Sequence, residues 1–305
     1  MIVPQEWRTL PDFAQRPIGT GPYCVRDNRQ SLLKITAFDD YFGYRALIDE
    51  VNIWVLPELS AELSYSGVQL KGDNSDQNEL ETRLEEGCYF LLYDRRSPLM
   101  QNVEIRRWLS ENIDPISLLT QAGAEYQHYW SPAYGILPRW HHDRVAPPRP
   151  KPDGLSRITL TLYHAHTEFD DLCRALKEVF ARLGVELVIA VVDYDTWHNG
   201  AAESDIWLGS ANFYSPLEYS LFATFYELPL MHHCLQTDMR PELHEWRHKR
   251  LSMADWCRSL VAGYHLHPLF HHWLILQGQR SMRGVRMNAL GWFDFKSAWF
   301  APPED

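Results

Sequence analysis

Basic residues are scarce in these 305 residues: 29 Lys and Arg stand against 40 Asp and Glu, leaving a net charge of −11. Phosphate contacts need clustered cations, so the chain itself is a poor nucleic-acid binder. Its densest basic run, Arg247-His248-Lys249-Arg250, is short and fits a solvated helix end. Cysteine is scarce too. Cys24, Cys88, Cys173, Cys234 and Cys257 are odd in number, scattered and never spaced as CxxC, which argues against a disulfide framework or zinc ribbon and suits a reducing compartment. No apolar run approaches the length of a membrane span, and Met1 to Trp7 lacks the basic-then-apolar order of a signal peptide. A cytoplasmic location with no membrane partner is expected. Glycine-rich phosphate cradles are also missing: no Rossmann turn, GxxxxGK[ST] or GxSxG occurs, so no cofactor is expected.

Aromatic residues, by contrast, are abundant, with 12 Trp, 15 Tyr and 13 Phe. They supply either a ring-rich core or an aromatic-lined ligand cleft. Along the chain, Ser31 to Phe38 and Val51 to Leu56 alternate as strands do, and Cys88 to Leu92 reads as another strand. Residues 73–86 are acidic and predict a surface helix. Val103 to Leu119 predicts a helix whose buried face carries Val103, Trp108, Leu109, Ile113 and Ile116. Pro147, Pro148, Pro150, Pro152 and Gly154 mark a loop.

The clearest unit follows that loop. Ile158, Leu160 and Leu162 alternate with Thr159, Thr161 and Tyr163, which is strand periodicity. Thr167-Glu168-Phe169-Asp170 fits a capping box, and Phe169, Leu172, Cys173, Leu176, Val179, Phe180 and Leu183 trace one helical face. Gly184 supplies a left-handed stop, and Val185 to Val192 predicts a buried strand. Strand, helix and strand make a right-handed βαβ crossover, and the chain is α/β.

Two histidine patterns carry chemistry. His244-Glu245-Trp246-Arg247-His248 matches HExxH, which sets two imidazoles on one helical face beside a carboxylate base. Its surroundings, Pro241 to Arg250, are almost all polar, which fits a surface helix better than a buried zinc-peptidase helix; no metal site is expected. The pairs His141-His142, His232-His233 and His271-His272, and His265 with His267, suit structural or cleft-lining roles, because neighbours on a strand face opposite sides. No catalytic triad or carboxylate pair has a local signature, so the chain reads as a binder and not an enzyme.

Several segments, in order, resemble the type 5 bacterial solute-binding proteins. Pro17-Ile18-Gly19-Thr20-Gly21-Pro22-Tyr23 is similar to the PxGTGPY turn of that family. Phe38-Asp39-Asp40-Tyr41-Phe42-Gly43 with Ile48-Asp49-Glu50-Val51 resembles its NPDYWG…LDE stretch, and Ser97-Pro98-Leu99 through Ile113-Asp114 resembles its PPFxDVRVRxAL…ID helix entrance. Pro132-Ala133-Tyr134-Gly135-Ile136-Leu137-Pro138 is similar to its PxxGxxP segment. More closely, Leu137-Pro138-Arg139-Trp140-His141-His142 and the ending Gly291 to Phe300 resemble the C-terminal domain of SgrR-type transcriptional regulators, which answer sugar-phosphate stress.

The resemblance implies a periplasmic-binding-protein-like (type II) α/β fold with two lobes, the first incomplete. Residues 1–86 form that partial lobe with 281–305 returning to it, and residues 87–280 form the second. It also implies effector sensing by a transcriptional regulator with a small-molecule ligand, a sugar phosphate being suspected. DNA contact falls to an upstream domain outside this chain. Where peptide binders of the family carry GWxxD, this chain reads Gly209-Ser210-Ala211-Asn212-Phe213-Tyr214, without the Trp or the Asp, so a transport-associated oligopeptide-type role is the alternative reading. A zinc hydrolase built on HExxH is the more remote one. Open α/β sheets take ligands at the C-terminal ends of their strands. The expected ligand residues are therefore Tyr194, which matches a family cleft aromatic, with Trp197, Ser210, Asn212 and Tyr214.

Overall fold

The computed structural model describes residues 5–6, 9–13, 15–54, 77–138, 149–164, 168–279, 281–287 and 293–302. The chain divides into two compact units, Met1–Thr82 with Ile275–Asp305, and Arg83–Leu274.

In the first unit β1 (Tyr23–Arg29), β2 (Leu32–Ala37) and β3 (Glu50–Trp54) form an antiparallel sheet in that order. Tyr23, at the end of the GTGPY turn, donates its hydroxyl proton toward the carbonyls of Ile48 (3.2 Å) and Phe295 (3.1 Å). Arg45 bridges Asp39 and Asp49, both at 2.7 Å. These two anchors hold the 39–49 loop against the sheet.

A seven-stranded mixed sheet runs through the second unit. Its strands are β4 (Gln77–Leu84), β5 (Gly87–Tyr93), β6 (Trp130–Pro132), β7 (Arg157–Leu162), β8 (Glu186–Val191), β9 (Ile206–Asn212) and β10 (Leu266–Gln279). Gln77–Thr82 of β4 and Ile275–Gln279 of β10 fall in the first unit. The order is β4-β10-β5-β9-β7-β8, with β6 on β10. β7 runs parallel to β8 and β9, whereas β5 is antiparallel to both β9 and β10. All seven residues of β5 are buried, because helices cover both faces. On one face α1 (Pro98–Gln101), α2 (Val103–Asn112), α3 (Pro115–Ala122) and α4 (Phe169–Arg182) pack around Tyr89, Leu91, Leu160 and Leu208. On the other, α5 (Tyr194–Asn199), α6 (Leu217–Phe222), α7 (Pro229–Arg247) and α8 (Met253–Ala262) enclose Phe90, Leu92, Trp207 and Phe213. After β10, two short ribbons return to the first unit: β11 (Met282–Arg283) pairs with β14 (Trp299–Phe300), and β12 (Arg286–Met287) with β13 (Phe293–Asp294).

The β7-α4-β8 segment follows the pattern of its residues. Ile158, Leu160 and Leu162 are fully buried, as are Phe169, Leu172, Leu176 and Phe180 of α4. Each such side chain contributes about 1.5–3 kcal/mol when taken out of water. Gly184 takes φ +70 at the stop.

Four expectations need correction or restriction. The acidic stretch does not form a helix where it is described: Gln77–Leu84 is strand β4, drawn into the sheet by β10, and Asp73 and Asp76 lie outside the described residues. The helix predicted over Val103 to Leu119 is two helices, broken where the Asp114 carboxylate accepts the Ser117 N–H at 3.0 Å and Pro115 opens α3. Val103 and Ile116 are consequently exposed. Strand β8 is not buried along its length, since it is the edge of the sheet: Leu187 is covered, but Val191 is 56% exposed. Thr167 of the expected capping box lies outside the described residues, and the N-cap of α4 is Glu168, without a side-chain cap bond.

Candidate functional site

The register of the parallel strands creates a shelf. Leu160 and Thr161 of β7 pair with Ile206 and Trp207, the first residues of β9. β7 ends at Leu162, but β9 continues through Leu208 to Asn212 on its partnership with β5, where Tyr89 pairs with Ser210 and Gly87 with Asn212. The helices that follow β7 and β8, α4 and α5, pack on opposite faces of the sheet. A crevice at the carboxyl ends of parallel strands is the usual ligand position of such sheets.

Three aromatic rings line one side of the shelf. Tyr163, the residue after β7, meets Tyr194 edge-on at 5.2 Å and Trp197 at 4.8 Å. Tyr194 and Trp197 are stacked at 6.4 Å. The sequence sets them there because Asp193 caps α5, its carboxylate accepting the N–H (2.8 Å) and hydroxyl (3.0 Å) of Thr196. That cap holds the Asp193 carboxyl below the usual carboxylate range. Trp197 is 4% exposed and its indole N–H donates to the Leu208 carbonyl at 3.0 Å; it is the floor of the cluster. Tyr194 is 52% exposed and also meets the His198 ring at 5.5 Å. Burial, with Tyr194 second, raises the Tyr163 phenol above its ordinary pKa.

Ser210 and Asn212 share the opposite face. Side chains alternate along a strand, so both stand on the side of Leu208, towards α2–α4. The five expected residues therefore divide: Tyr194 and Trp197 lie on one side of β9, Ser210 and Asn212 on the other. Tyr214 is half-exposed on the link to α6, its N–H donating to the Ser220 hydroxyl at 3.1 Å.

Beside Ser210 lies a polar group that sequence reasoning missed. Tyr89, paired with Ser210, donates its hydroxyl proton to Glu168 at 2.7 Å. Glu85, at the bend between β4 and β5, is buried, and its N–H donates to the His272 carbonyl at 2.8 Å. Its carboxylate stands 4.0 Å from the His272 Nδ1. Desolvation raises the Glu85 carboxyl to about 7. No local signal reveals this group: Glu85 is one carboxylate of an acidic run, and the histidine reaches it only through strand pairing. On β10 the adjacent His271 turns the other way, buried, with Nδ1 2.6 Å from the Gly87 carbonyl.

The HExxH segment ends α7 on the exterior. The His244 and His248 rings are 4.1 Å apart, and His248 Nδ1 lies 2.8 Å from the His244 carbonyl. Both carboxylate oxygens of Glu245 receive Arg250, at 2.5 and 2.6 Å, so the supposed base is held in an ion pair. Among the described residues no group of three metal-ligating side chains is assembled. His141 and His142 lie outside the described residues. No described helix is long and apolar enough to cross a membrane.

This architecture is that of the periplasmic-binding-protein-like, type 5 solute-binding proteins. The oligopeptide-binding protein AppA from Bacillus subtilis, solved with a nonapeptide, superimposes with a TM-score of 0.70 at 14% identity over 99% of this chain and 72% of that one. NikA from Brucella suis gives 0.70 at 12% identity over 93% and 68%. No family model matches the chain. By sequence, the chain is related end to end to the HTH-type transcriptional regulator SgrR: it is 64% identical over 304 residues to that of Yersinia pestis, 59% to that of Pectobacterium atrosepticum and 54% to that of Photorhabdus laumondii. It spans 100% of its own length but 55% of theirs.

Proposed function

We propose that the chain is the effector-sensing, solute-binding part of a transcriptional regulator, with a small polar ligand such as a sugar phosphate. The observation that supports this best is the conjunction of 64% identity to a named regulator with the fold of solute-binding proteins. In this reading unit Arg83–Leu274 is the lobe that grips the ligand, and the other unit is part of the first lobe. The remainder of that lobe and the DNA-contacting segment belong to the length of the relatives that this chain does not span. Two lobes closing over an effector give two states, and a ligand that binds one state better shifts the balance between them. The reading makes the chain non-catalytic and cytoplasmic, like a regulator that works beside DNA.

The site chemistry supports a binder. On one side of β9 a half-buried and an exposed tyrosine offer a stacking surface, and on the other Ser210 and Asn212 carry neutral hydrogen-bonding groups. The position of the peptide binders' GWxxD is occupied by Gly209 to Phe213, which weakens the oligopeptide reading. The test is to titrate the complete regulator with a hexose 6-phosphate and with tripeptides, following both ligand binding and operator binding. Saturable hexose 6-phosphate binding that changes operator affinity is expected. Tripeptides binding better, or ligand binding without any effect on operator affinity, would overturn the reading.

A further inference from the structure

We propose that the open edge of β8 is a pairing surface for a second copy of this chain, joined antiparallel so that two seven-stranded sheets become one. The pairing needs neither a ligand nor the solute-binding reading.

β8 ends the sheet and pairs with β7 alone among the described strands. Its Glu186 N–H donates to the Ser156 carbonyl at 2.8 Å, and the Val192 N–H just beyond it donates to that of Leu162 at 2.9 Å. In a parallel ladder the N–H and C=O of one residue point the same way, and successive residues alternate. Residues 186, 188, 190 and 192 therefore face β7, whereas Leu187, Ile189 and Val191 turn their N–H and C=O groups to the open edge. Such a row is a template for another strand, and edges that must stay single are blunted by charge, proline or bulges. β8 has no charge and no proline after its first residue, and its register on β7 is unbroken from Arg157↔Glu186 to Leu162↔Val191. Val191 is 56% exposed, and Val188, Ile189 and Ala190 are half-buried. At the other end of the sheet β4 is polar by contrast, with Glu79, Glu81 and Arg83 along it.

Charge selects the occupant. Around the start of β8 stand Lys151, whose ammonium donates to the Gly184 carbonyl at 2.9 Å, Arg157, and Arg182 in the last turn of α4. They outnumber Asp153 and Glu186, and Arg157 lies 4.0 Å from the Glu186 carboxylate. After the end of β8 come Asp193 and Asp195, both exposed, and no Lys or Arg occurs in the sequence between Arg182 and Arg240. An edge that is basic at one end and acidic at the other fits its own copy turned about a two-fold axis, where the same patch meets itself reversed. Centred on Ile189, Leu187 of one copy lies opposite Val191 of the other, and the two Ile189 residues face each other. Each of these pairs exchanges both of its N–H···O=C bonds, and the basic start of each strand meets the acidic end of its partner. A parallel second copy would instead set the acidic ends side by side, which opposes pairing.

The experiment is analytical ultracentrifugation of the full 305-residue chain from low to high micromolar concentration. With rising concentration the parent should approach twice its chain mass of 35.7 kDa. Val191→Pro removes an N–H that β7 does not use, and proline is tolerated at such edge positions. That variant should keep the parent's circular dichroism and sediment as a monomer. Arg182→Glu and Asp195→Arg should each weaken the dimer severalfold, and the two together should restore it. A parent that stays monomeric throughout, or that grows past the dimer, sinks the pairing, as does a natively folded Val191→Pro that still dimerises. Should that variant not fold natively, the charge series decides. Single reversals without effect, or a double reversal no better than the singles, would place the contact elsewhere and overturn the pairing.

Discussion

A Cβ on Gly209 would stand 2.7 Å from Cζ2 of the Trp197 ring and 3.2 Å from Cζ of Phe90. The strand must be bare at this point so that the indole from α5 can lie on it and donate to the Leu208 carbonyl. Gly209→Ala should therefore destabilise the chain by about 1–3 kcal/mol through overpacking, and Trp197→Ala by about 3–5 kcal/mol through the cavity it leaves. In urea denaturation the double variant should cost clearly less than the sum, because removing the indole removes the clash. Additive losses would show that the two residues are not complementary.

Elements with a strong local period were legible, and those made by long-range pairing were not. Phe169 to Phe180 and Ile158 to Leu162 announce themselves because one face of each is apolar at the helical or strand period. β8 is as apolar as a central strand, but its position at the edge leaves Val191 in solvent, and nothing in the run Val185 to Val192 encodes what lies beside it. β4 is polar because acidic residues there tolerate strand geometry once β10 supplies hydrogen bonds. For the candidate site, the positions of Tyr194 and Trp197 in the turn after β8, and of Ser210 and Asn212 at the end of β9, were legible as positions. That they stand on opposite sides of β9 follows from strand alternation and was readable in principle. Tyr163 and Glu85 were not, because their neighbours come from distant elements.

Arg106 should be a structural clamp and not an effector contact. It is 3% exposed, and it donates from Nε to the Tyr264 carbonyl at 2.8 Å and from Nη1 to the carbonyls of Met100 at 2.5 Å and Gln101 at 3.2 Å. Burial, then the Arg95 charge, lowers its guanidinium to about 10. Arg106→Met should cost on the order of 3 kcal/mol, since three carbonyls lose a charged donor. Arg106→Lys should recover only part of that, because an ammonium cannot reproduce the planar fork. Equal stability of both variants to the parent in urea denaturation would refute the clamp.

No stoichiometric zinc should accompany the protein. Glu245 is engaged by Arg250, and His244 and His248 face solvent without a third ligand among the described residues. Metal analysis of untreated protein should find far less than one zinc per chain, and His244→Ala should leave the thermal midpoint unchanged. One zinc per chain, lost in that variant, would restore the hydrolase reading.

Two buried groups should tilt the pH profile of stability in opposite directions. Desolvation raises the Glu85 carboxyl from 4.5 to about 7, so the fold favours its protonated form. That contribution is complete below pH 4.5 and is lost as pH rises through about 7. His265 is buried as well, and desolvation, followed by the charges of Arg106 and Arg95, lowers its imidazole from 6.5 to about 4. The fold favours its neutral form, so that contribution is complete above pH 6.5 and is lost as pH falls through about 4. Each amounts to about 3 kcal/mol across its window. Relative to the parent, Glu85→Gln should gain stability as pH rises from 4.5 to 7. His265→Asn should gain as pH falls from 6.5 to 4. Urea denaturation of both variants and the parent at half-unit steps from pH 4 to 8 decides the matter. Curves that run parallel to the parent would mean that neither group changes its proton affinity on folding.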